Sequence, residues 1–427
     1  MRSRPGRSTP PKRMLVTTNS DHPARRRIGV RGALSTAAGR LAGNREGLLW
    51  LLVVGAVYIV TTIIVAESHG GHRTDVAMGI AANIARGHLD AGLPAGSLDT
   101  VTVGGLAYQV ISPLPIVPYL LFVPFPVAWE VSRWMISTGI GIAAAWLTLP
   151  LARRYGPGGR TTFWLATLGA FGTLLWTQSI AGNFYYLAHV EATLCSFIAL
   201  IEWRGRRRPW VIGLALGLAS LARPTIILAA IPFGIGLLMV KGDRWRTAVA
   251  FIGPLVVAIG LTGLYNALRF GSPLETGYGI SVLTRESLAQ SRAQGVFSLR
   301  HVPKNLALFI VRGFDLRASF PFLIPDPNGH SILLTSPALL IAISAGVRSR
   351  SARILWVAAF LVAMPLLLYY GGGGYRTYGY RYALDFIPFL LALVAIGAGK
   401  HFGSLEKLLI VLSVCFVAYG VVWAVFG

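Results

Sequence analysis

The segment Glu67-Ser-His-Gly-Gly-His-Arg-Thr-Asp75 sets two carboxylates and two imidazoles within nine residues, directly after the uncharged apolar stretch 47–66. Three kinds of chemistry suit such a cluster. A carboxylate in a polar loop beside a membrane crossing can act as a general base. Glu67, His69, His72 and Asp75 also offer the oxygen and imidazole donors of a metal site. Thirdly, Asp75 precedes an apolar run and can cap a helix, where a carboxylate favours the positive end of the dipole.

Four further clusters carry polar groups that an apolar chain has to account for. Gly104-Gly-Leu-Ala-Tyr108 runs on through Gln109 and Ser112 into a proline-rich apolar stretch, and could wall a lipid-facing groove or serve as an interfacial linker. Tyr185 and His189 stand one helical turn apart on one face of an apolar run, with Glu191 rotated away. An ionisable side chain inside a span is costly and usually meets a cavity or a partner, although a packing histidine is the plain alternative for His189. In Tyr265-Asn-Ala-Leu-Arg269-Phe-Gly-Ser-Pro-Leu-Glu275-Thr-Gly-Tyr278, Arg269, Glu275 and Tyr278 read as loop-borne groups just outside a span, around an ordinary Gly-Ser-Pro turn. In Gly371-Gly-Gly-Gly-Tyr-Arg376-Thr-Tyr-Gly-Tyr-Arg381-Tyr382, glycines permit close backbone approach and the two guanidinium forks suit a phosphate, or else snorkel at the interface. Arg223, in the middle of an apolar run, raises the same question.

The elements that position these groups follow from composition. The chain has 427 residues, 54% of them hydrophobic and 13% charged, with a mean hydropathy of +0.61. Runs of about 20 apolar residues recur along it, as spanning helices require, and not the ten-residue alternation of a membrane barrel. The fold class expected is an all-α polytopic membrane protein. A net charge of +23 would suggest nucleic acid in a soluble chain. Here the basic residues gather in the tail and in short loops, as the positive-inside rule predicts, and no nucleic-acid-binding motif accompanies them. Residues 1–46 hold eleven Lys/Arg against Asp21 and Glu46 and read as a disordered basic cytoplasmic tail drawn to anionic lipid. The apolar run begins too late for a cleavable signal peptide, and two distant cysteines in apolar runs argue against a disulfide framework. Arg outnumbers Lys 34 to 5, which hints at a GC-rich genome.

Loop charge fixes an expected topology. Basic clusters at 153–160, 204–208, 241–246, 348–353 and 400–407 all face the cytoplasm if an even number of crossings separates each from the next. The stretch 113–128, interrupted by five prolines, is then no span. The stretch 209–240 becomes two short helices that turn at Arg223-Pro224, because one helix of that length would reach about 48 Å across a hydrocarbon core of roughly 30 Å. The expected spans are 47–66, 134–152, 161–180, 184–203, the two halves of 209–240, 247–264, 332–347, 354–370, 383–399 and 408–426, about eleven crossings, with the N-terminus cytoplasmic. Residues 47–427 form one membrane domain with large external loops at 67–131 and 265–331, which carry juxtamembrane helices near 73–88 and 302–311. The polar clusters then share one extracytoplasmic face. No nucleotide-binding glycine loop occurs, so a phosphate carried on a lipid suits the arginines better than a soluble nucleotide.

Four stretches, together with the glycine-rich loop that ends Arg381-Tyr382 before Asp385 and Pro388, resemble the GT-C superfamily of polytopic glycosyltransferases, in particular its protein mannosyltransferase and lipid A aminoarabinose transferase branch. The stretches are Asp75 with the helix to Gly87-His88; Gly105-Leu-Ala-Tyr108 running into 113–118; Gly217-Leu-Ala-Ser-Leu-Ala-Arg-Pro-Thr225; and the 265–278 motif. The resemblance spans residues 47 to about 400. It implies an enzyme in the bacterial plasma membrane that takes a sugar from a polyprenyl-phosphate donor on the extracytoplasmic side and transfers it with inversion. Asp75 would be the catalytic base. Arg376, Arg381, Arg223 and Arg269 would meet the donor phosphate, and His189, Tyr185, Tyr108, Tyr278 and Glu275 would line the sugar or acceptor pocket. The acceptor would be a glycan, a lipid or a protein. No cofactor is implied, and a divalent metal near His69, His72 and Asp75 is left open. Asp75 is followed by Val76 where many relatives have an acidic pair, and Ser112 stands where some have Lys or His. The competing expectations are a transporter or flippase of an anionic polyprenyl-linked lipid, which would use the same arginines and would commonly show internal repeats, and a catalytically silent assembly partner.

Overall fold

The structure is a computed structural model that describes residues 30–69, 75–240, 242–283, 285–319, 322–374 and 377–426, with side chains from residue 45. It is helical almost throughout. The elements run α1 (Val30–Ser68), α2 (Val76–Ile84), a hairpin of β1 (Thr100–Val103) and β2 (Leu106–Gln109), α3 (Trp129–Tyr155), α4 (Arg160–Phe171), α5 (Leu175–Ser179), α6 (Phe184–Arg204), α7 (Pro209–Ala222), α8 (Ala230–Leu238), α9 (Arg244–Phe270), α10 (Glu286–Ala293), α11 (Val302–Leu306), a two-residue pair β3 (Asp315–Leu316) and β4 (Leu323–Ile324), α12 (Ile332–Thr335), α13 (Arg350–Leu368), α14 (Ile387–Ala398) and α15 (Ser404–Phe426). The chain divides after Leu49 into two units, of which the second, from Trp50, is the helical body.

Among the described residues, six helical stretches are long and apolar enough to cross a membrane: Arg45–Ser68, Pro126–Tyr155, Phe184–Arg204, Arg244–Phe270, Arg350–Leu368 and Ser404–Phe426. This is the make-up of a multi-pass membrane protein. Five of them contain one of the eleven expected spans whole, and Arg350–Leu368 covers all but the last two residues of 354–370. The other five expected spans are short or broken, for local reasons. Helix α7 stops at Arg223, whose extended backbone (φ −136°, ψ 99°) precedes Pro224, and the chain resumes as a 3-10 turn leading into α8. The 332–347 stretch breaks at Ser336 before Pro337 and continues as the 3-10 helix Pro337–Ala345. The 161–180 stretch divides at Gly172 into α4 and α5, and 383–399 yields the twelve-residue α14. Proline removes the N–H that would continue each of the first two helices. The proline-rich stretch after residue 113 forms the 3-10 helix Leu114–Phe122. The helices expected near 73–88 and 302–311 are present, as the shorter α2 and as α11 continued by one π turn over Ala307–Val311.

Helix α6 is the centre of the body. Buried residues make up 72% of its apolar stretch, against 17% for α9, which turns Val249, Ile252, Val256 and Ile259 outward. Helices α7 and α9 cross closely because Gly213 and Gly217, one turn apart, leave room for the α9 backbone. A Cβ at Gly213 would overlap the Phe251 carbonyl oxygen, and one at Gly217 would lie 3.1 Å from that of Pro254. Small residues spaced by four are the usual means of such packing in lipid. Two hydrogen bonds fix α1 inside this body: Tyr58 Oη donates to the Ala170 carbonyl (2.7 Å), and Thr62 Oγ1 pairs with Thr138 Oγ1 (2.7 Å).

Basic clusters distant in sequence meet at helix ends. Arg204 donates to the Arg154 carbonyl, Arg350 to that of Gly236, and Lys400 to that of Ala345. Each bond satisfies a carbonyl at or near a helix end that has no partner inside its own helix.

Candidate active site

A polar chamber of about 150 Å³ opens among the loops that join the helices. Its walls draw on most of the polar segments singled out in the sequence, though not on Glu67–Asp75. Asp99 enters from the segment after α2, Tyr185 and His189 from the first two turns of α6, and Arg223 from the break after α7. Tyr278 and Ser281 come from the loop after α9, and Tyr369, Tyr370, Gly371, Gly374, Arg381 and Tyr382 from the glycine-rich loop. Five of the ten candidate residues, Tyr185, His189, Arg223, Tyr278 and Arg381, are thus brought together.

Asp385 anchors the floor. Its carboxylate is wholly buried. Oδ1 lies 2.6 Å from His189 Nδ1, while Oδ2 accepts from Arg223 Nε at 3.0 Å and from Thr225 Oγ1 at 3.3 Å. This explains both intramembrane oddities of the sequence. His189 sits on α6 with a carboxylate partner from 196 residues away, and Arg223 is tied by its Nε, which leaves its terminal nitrogens to the chamber. The two guanidinium groups flank one aromatic ring: Arg223 lies 5.1 Å from the Tyr382 ring centre and Arg381 5.0 Å. Arg381 also lies over Tyr186 at 5.5 Å and donates to Tyr382 Oη at 3.2 Å. Its buried Nε meets no acceptor among the described residues. Tyr278, Tyr369 and Tyr382 complete an edge-to-face aromatic wall, with ring centres 5.9 and 6.1 Å apart. Burial raises the Tyr278 phenol above its usual range, against the pull of Arg223.

On the opposite wall a hydrogen-bond chain runs inward. Arg269 Nη1 donates to the Gln109 carbonyl (2.8 Å), Gln109 Nε2 to Tyr185 Oη (2.6 Å), and Tyr185 Oη to Asp99 Oδ2 (3.0 Å). Arg269 therefore differs from its expected role. It lies on the last turn of α9 and not in the loop, is buried, and donates from all three nitrogens, to Tyr265, Gln109 and Asn266, while its guanidinium covers the Tyr265 ring at 3.6 Å. These contacts commit it to holding α9 against the hairpin. Glu275 accepts from the Gly277 N–H at 2.7 Å and closes its own turn, and Tyr108 on β2 packs edge-on to Phe270. Neither lines the chamber. Arg376 lies outside the described residues.

Asp75 is the N-cap of α2. Its Oδ1 accepts from the Ala77 N–H at 3.3 Å and its Oδ2 from Tyr119 Oη at 2.9 Å. It is buried, and burial raises its pKa above the ordinary carboxylate value, opposed by those two bonds and by Arg133. It is not among the residues that line the chamber. His72 lies outside the described residues, His69 Nδ1 lies 2.9 Å from the Val65 carbonyl oxygen, and among the described residues no cluster of three His, Cys, Asp or Glu side chains could hold a metal.

A second, larger cavity of about 630 Å³ has a separate lining. Arg133, stacked 4.7 Å over Trp134, lies on its wall with Trp423 and Tyr378. Tyr186 and Gln178 also line it, and these contact Arg381 from that side.

Sequence reasoning did not find Asp99 as a site residue, nor Asp385 as the partner of Arg223 and His189. The pairing of Asp385 joins residues 162 apart and has no local signature. Asp99 had one: the alternation Thr-Val-Thr-Val, Gly104-Gly105, Leu-Ala-Tyr-Gln is a hairpin pattern, its glycines both at positive φ (58° and 82°), and it fixes where the residue before it must lie. Comparison of the chain with protein-family models, with curated proteins and with solved structures gave no match.

Proposed function

We propose that this chain is a membrane-embedded inverting glycosyltransferase of the GT-C kind, which moves a sugar from a polyprenyl-phosphate donor to an acceptor hydroxyl outside the cytoplasm. The observation that carries the reading is the chamber itself, where two arginines, one engaged only through Nε and one with an unpartnered Nε, share a tyrosine-lined space with a single carboxylate, Asp99. Guanidinium forks suit a phosphate monoester, which is the leaving group when such a donor loses its sugar. The tyrosine rings offer the faces on which a sugar stacks and the hydroxyls that orient it.

In this reading the phosphate sits between Arg223 and Arg381. The acceptor oxygen attacks the anomeric carbon from the face opposite the phosphate, the bond from that carbon to the phosphate oxygen breaks, and the arginines stabilise the charge that develops on the departing phosphate. Asp385 and His189 fix the Arg223 fork so that little reorganisation is needed. Two carboxylates of the first external segment could take the acceptor proton: Asp75, which the resemblance implies, and Asp99, which lines the chamber. The eleven-span topology, the cytoplasmic N-terminus and the bacterial plasma membrane belong to the same proposal. The five short or broken apolar stretches serve as the remaining crossings, sheltered within the bundle where irregular backbone is tolerated. The acceptor is a glycan, a lipid or a protein.

The full-length chain in proteoliposomes, offered a panel of farnesyl-phosphoryl sugars and membranes from a strain lacking the gene as acceptor, should release farnesyl phosphate. Replacement of Arg223 or Arg381 by Gln should slow release by about a hundredfold or more. Passage of the intact lipid across the bilayer with no covalent product would favour the flippase reading instead.

A further inference from the structure

We propose that Asp99, and not Asp75, is the general base of the transfer, with Tyr185 as the residue that positions it. The inference rests on the transferase reading and names the proton acceptor within that site.

Four observations carry it. First, Asp99 lines the chamber that holds both free-facing arginines, whereas the Asp75 oxygens are taken by the α2 cap and by Tyr119. Second, Asp99 is held from several directions. Its N–H donates to the Val282 carbonyl (3.1 Å), its carbonyl accepts from Val110 (3.0 Å), and its Oδ2 accepts from Tyr185 (3.0 Å). Val282 in turn donates to the Thr100 carbonyl (2.9 Å), so the segment after α2 and the loop after α9 are strapped together at this residue. Third, its backbone is in the left-handed region (φ 57°), one of three non-glycine residues so placed among those described. Such a conformation costs energy and persists only where surrounding contacts impose it, often at functional sites. Fourth, the Tyr185 hydroxyl donates to Oδ2, so Oδ1 is the oxygen left to receive a proton.

The step balances as follows. The acceptor O–H bond breaks and its proton passes to Asp99. The acceptor oxygen forms the new bond to the anomeric carbon, the bond from that carbon to the phosphate oxygen breaks, and the electron pair leaves on the phosphate between Arg223 and Arg381.

The test uses full-length protein in proteoliposomes, with farnesyl phosphate as the binding probe and the farnesyl-phosphoryl sugar panel as the turnover probe. Asp99→Asn keeps an acceptor for the Tyr185 hydroxyl and should bind farnesyl phosphate within about twofold of wild type, while release falls about a hundredfold or more. Asp99→Glu should recover part of that loss, which separates a proton-transfer role from a folding defect. If Asp99→Asn turns over within a few-fold of wild type while Asp75→Asn is inactive, the assignment is overturned in favour of Asp75. If the wild-type protein neither binds farnesyl phosphate nor releases it from any donor, the transferase reading itself fails, before any variant is compared.

Discussion

Arg223 and Asp385 stand 162 residues apart and meet at 3.0 Å, with the carboxylate fully buried and its other oxygen 2.6 Å from His189. A charged pair in such surroundings recovers its desolvation cost only while both partners and their hydrogen bonds are present. The arrangement therefore joins the break after α7, the middle of the body and the start of α14 through one carboxylate.

Removal of one partner should accordingly cost more than removal of both. Asp385→Ala leaves Arg223, its side chain only 15% exposed, without a counter-charge and should destabilise the body by about 3–5 kcal/mol, whereas Arg223→Met with Asp385→Leu should lose much less. Thermal unfolding of the detergent-solubilised protein, followed for Asp385→Ala, Arg223→Met and the double, measures the difference. All three should be inactive, since each removes either the Arg223 fork or the carboxylate that fixes it.

Gly213 gives a packing test independent of chemistry. Gly213→Ala places a Cβ against the Phe251 carbonyl of α9, whereas Gly260→Ala on the same helix pair meets nothing within 4 Å. The first should cost about 1–3 kcal/mol by overpacking and the second should be neutral or slightly stabilising, as replacing a helical glycine with alanine usually is. Melting temperatures of the two variants against wild type decide it.

The pH dependence of turnover should report Asp99. Burial raises its pKa, while the hydrogen bond from Tyr185 and the charge of Arg381 lower it. A raised pKa keeps the proton on the carboxylate to a higher pH, so the unprotonated base is lost, and rate falls, below a pH that lies above the ordinary aspartate value. Tyr185→Phe removes one of the lowering contacts and should move that acid limb further up. An acid limb that does not shift in Tyr185→Phe would assign it to another group.

The sequence made the class of fold legible because long apolar runs and clustered basic residues are both local properties. The turn at Arg223 was legible for the same reason: a length that exceeds a bilayer and an Arg-Pro break lie in the same 32 residues. Span count was less so, because Ser336-Pro337 and Gly172 interrupt runs whose hydropathy is continuous. The candidate site was half legible. Residue types flagged Arg223, Arg381, His189, Tyr185 and Tyr278, all of which line the chamber. Sequence could not separate Arg269, whose donors are all used within the fold, from Arg381, whose Nε is not. That distinction depends on which carbonyls lie nearby after folding. Asp75 and Asp99 posed the same problem, since both are carboxylates in one polar segment and only tertiary contacts show which faces the arginines.

Phosphate recognition should depend on fork geometry and not on charge alone. Arg381→Lys keeps the positive charge but loses the planar guanidinium over Tyr186 and Tyr382, so farnesyl phosphate should bind roughly tenfold more weakly, and Arg381→Gln more weakly still. Equal affinity of the Lys variant and wild type would mean that the phosphate does not sit against this fork. Titration of farnesyl phosphate by tryptophan fluorescence provides the readout.

The most direct measurement is release of farnesyl phosphate from farnesyl-phosphoryl sugars by the full-length protein in sealed vesicles, with the lipid followed on both sides of the bilayer. A transferase built on this chamber gives free farnesyl phosphate and a glycosylated acceptor, and loses both in Arg223→Gln and Arg381→Gln. Donor that crosses the membrane intact, with no sugar transferred and no dependence on Asp99, would contradict it.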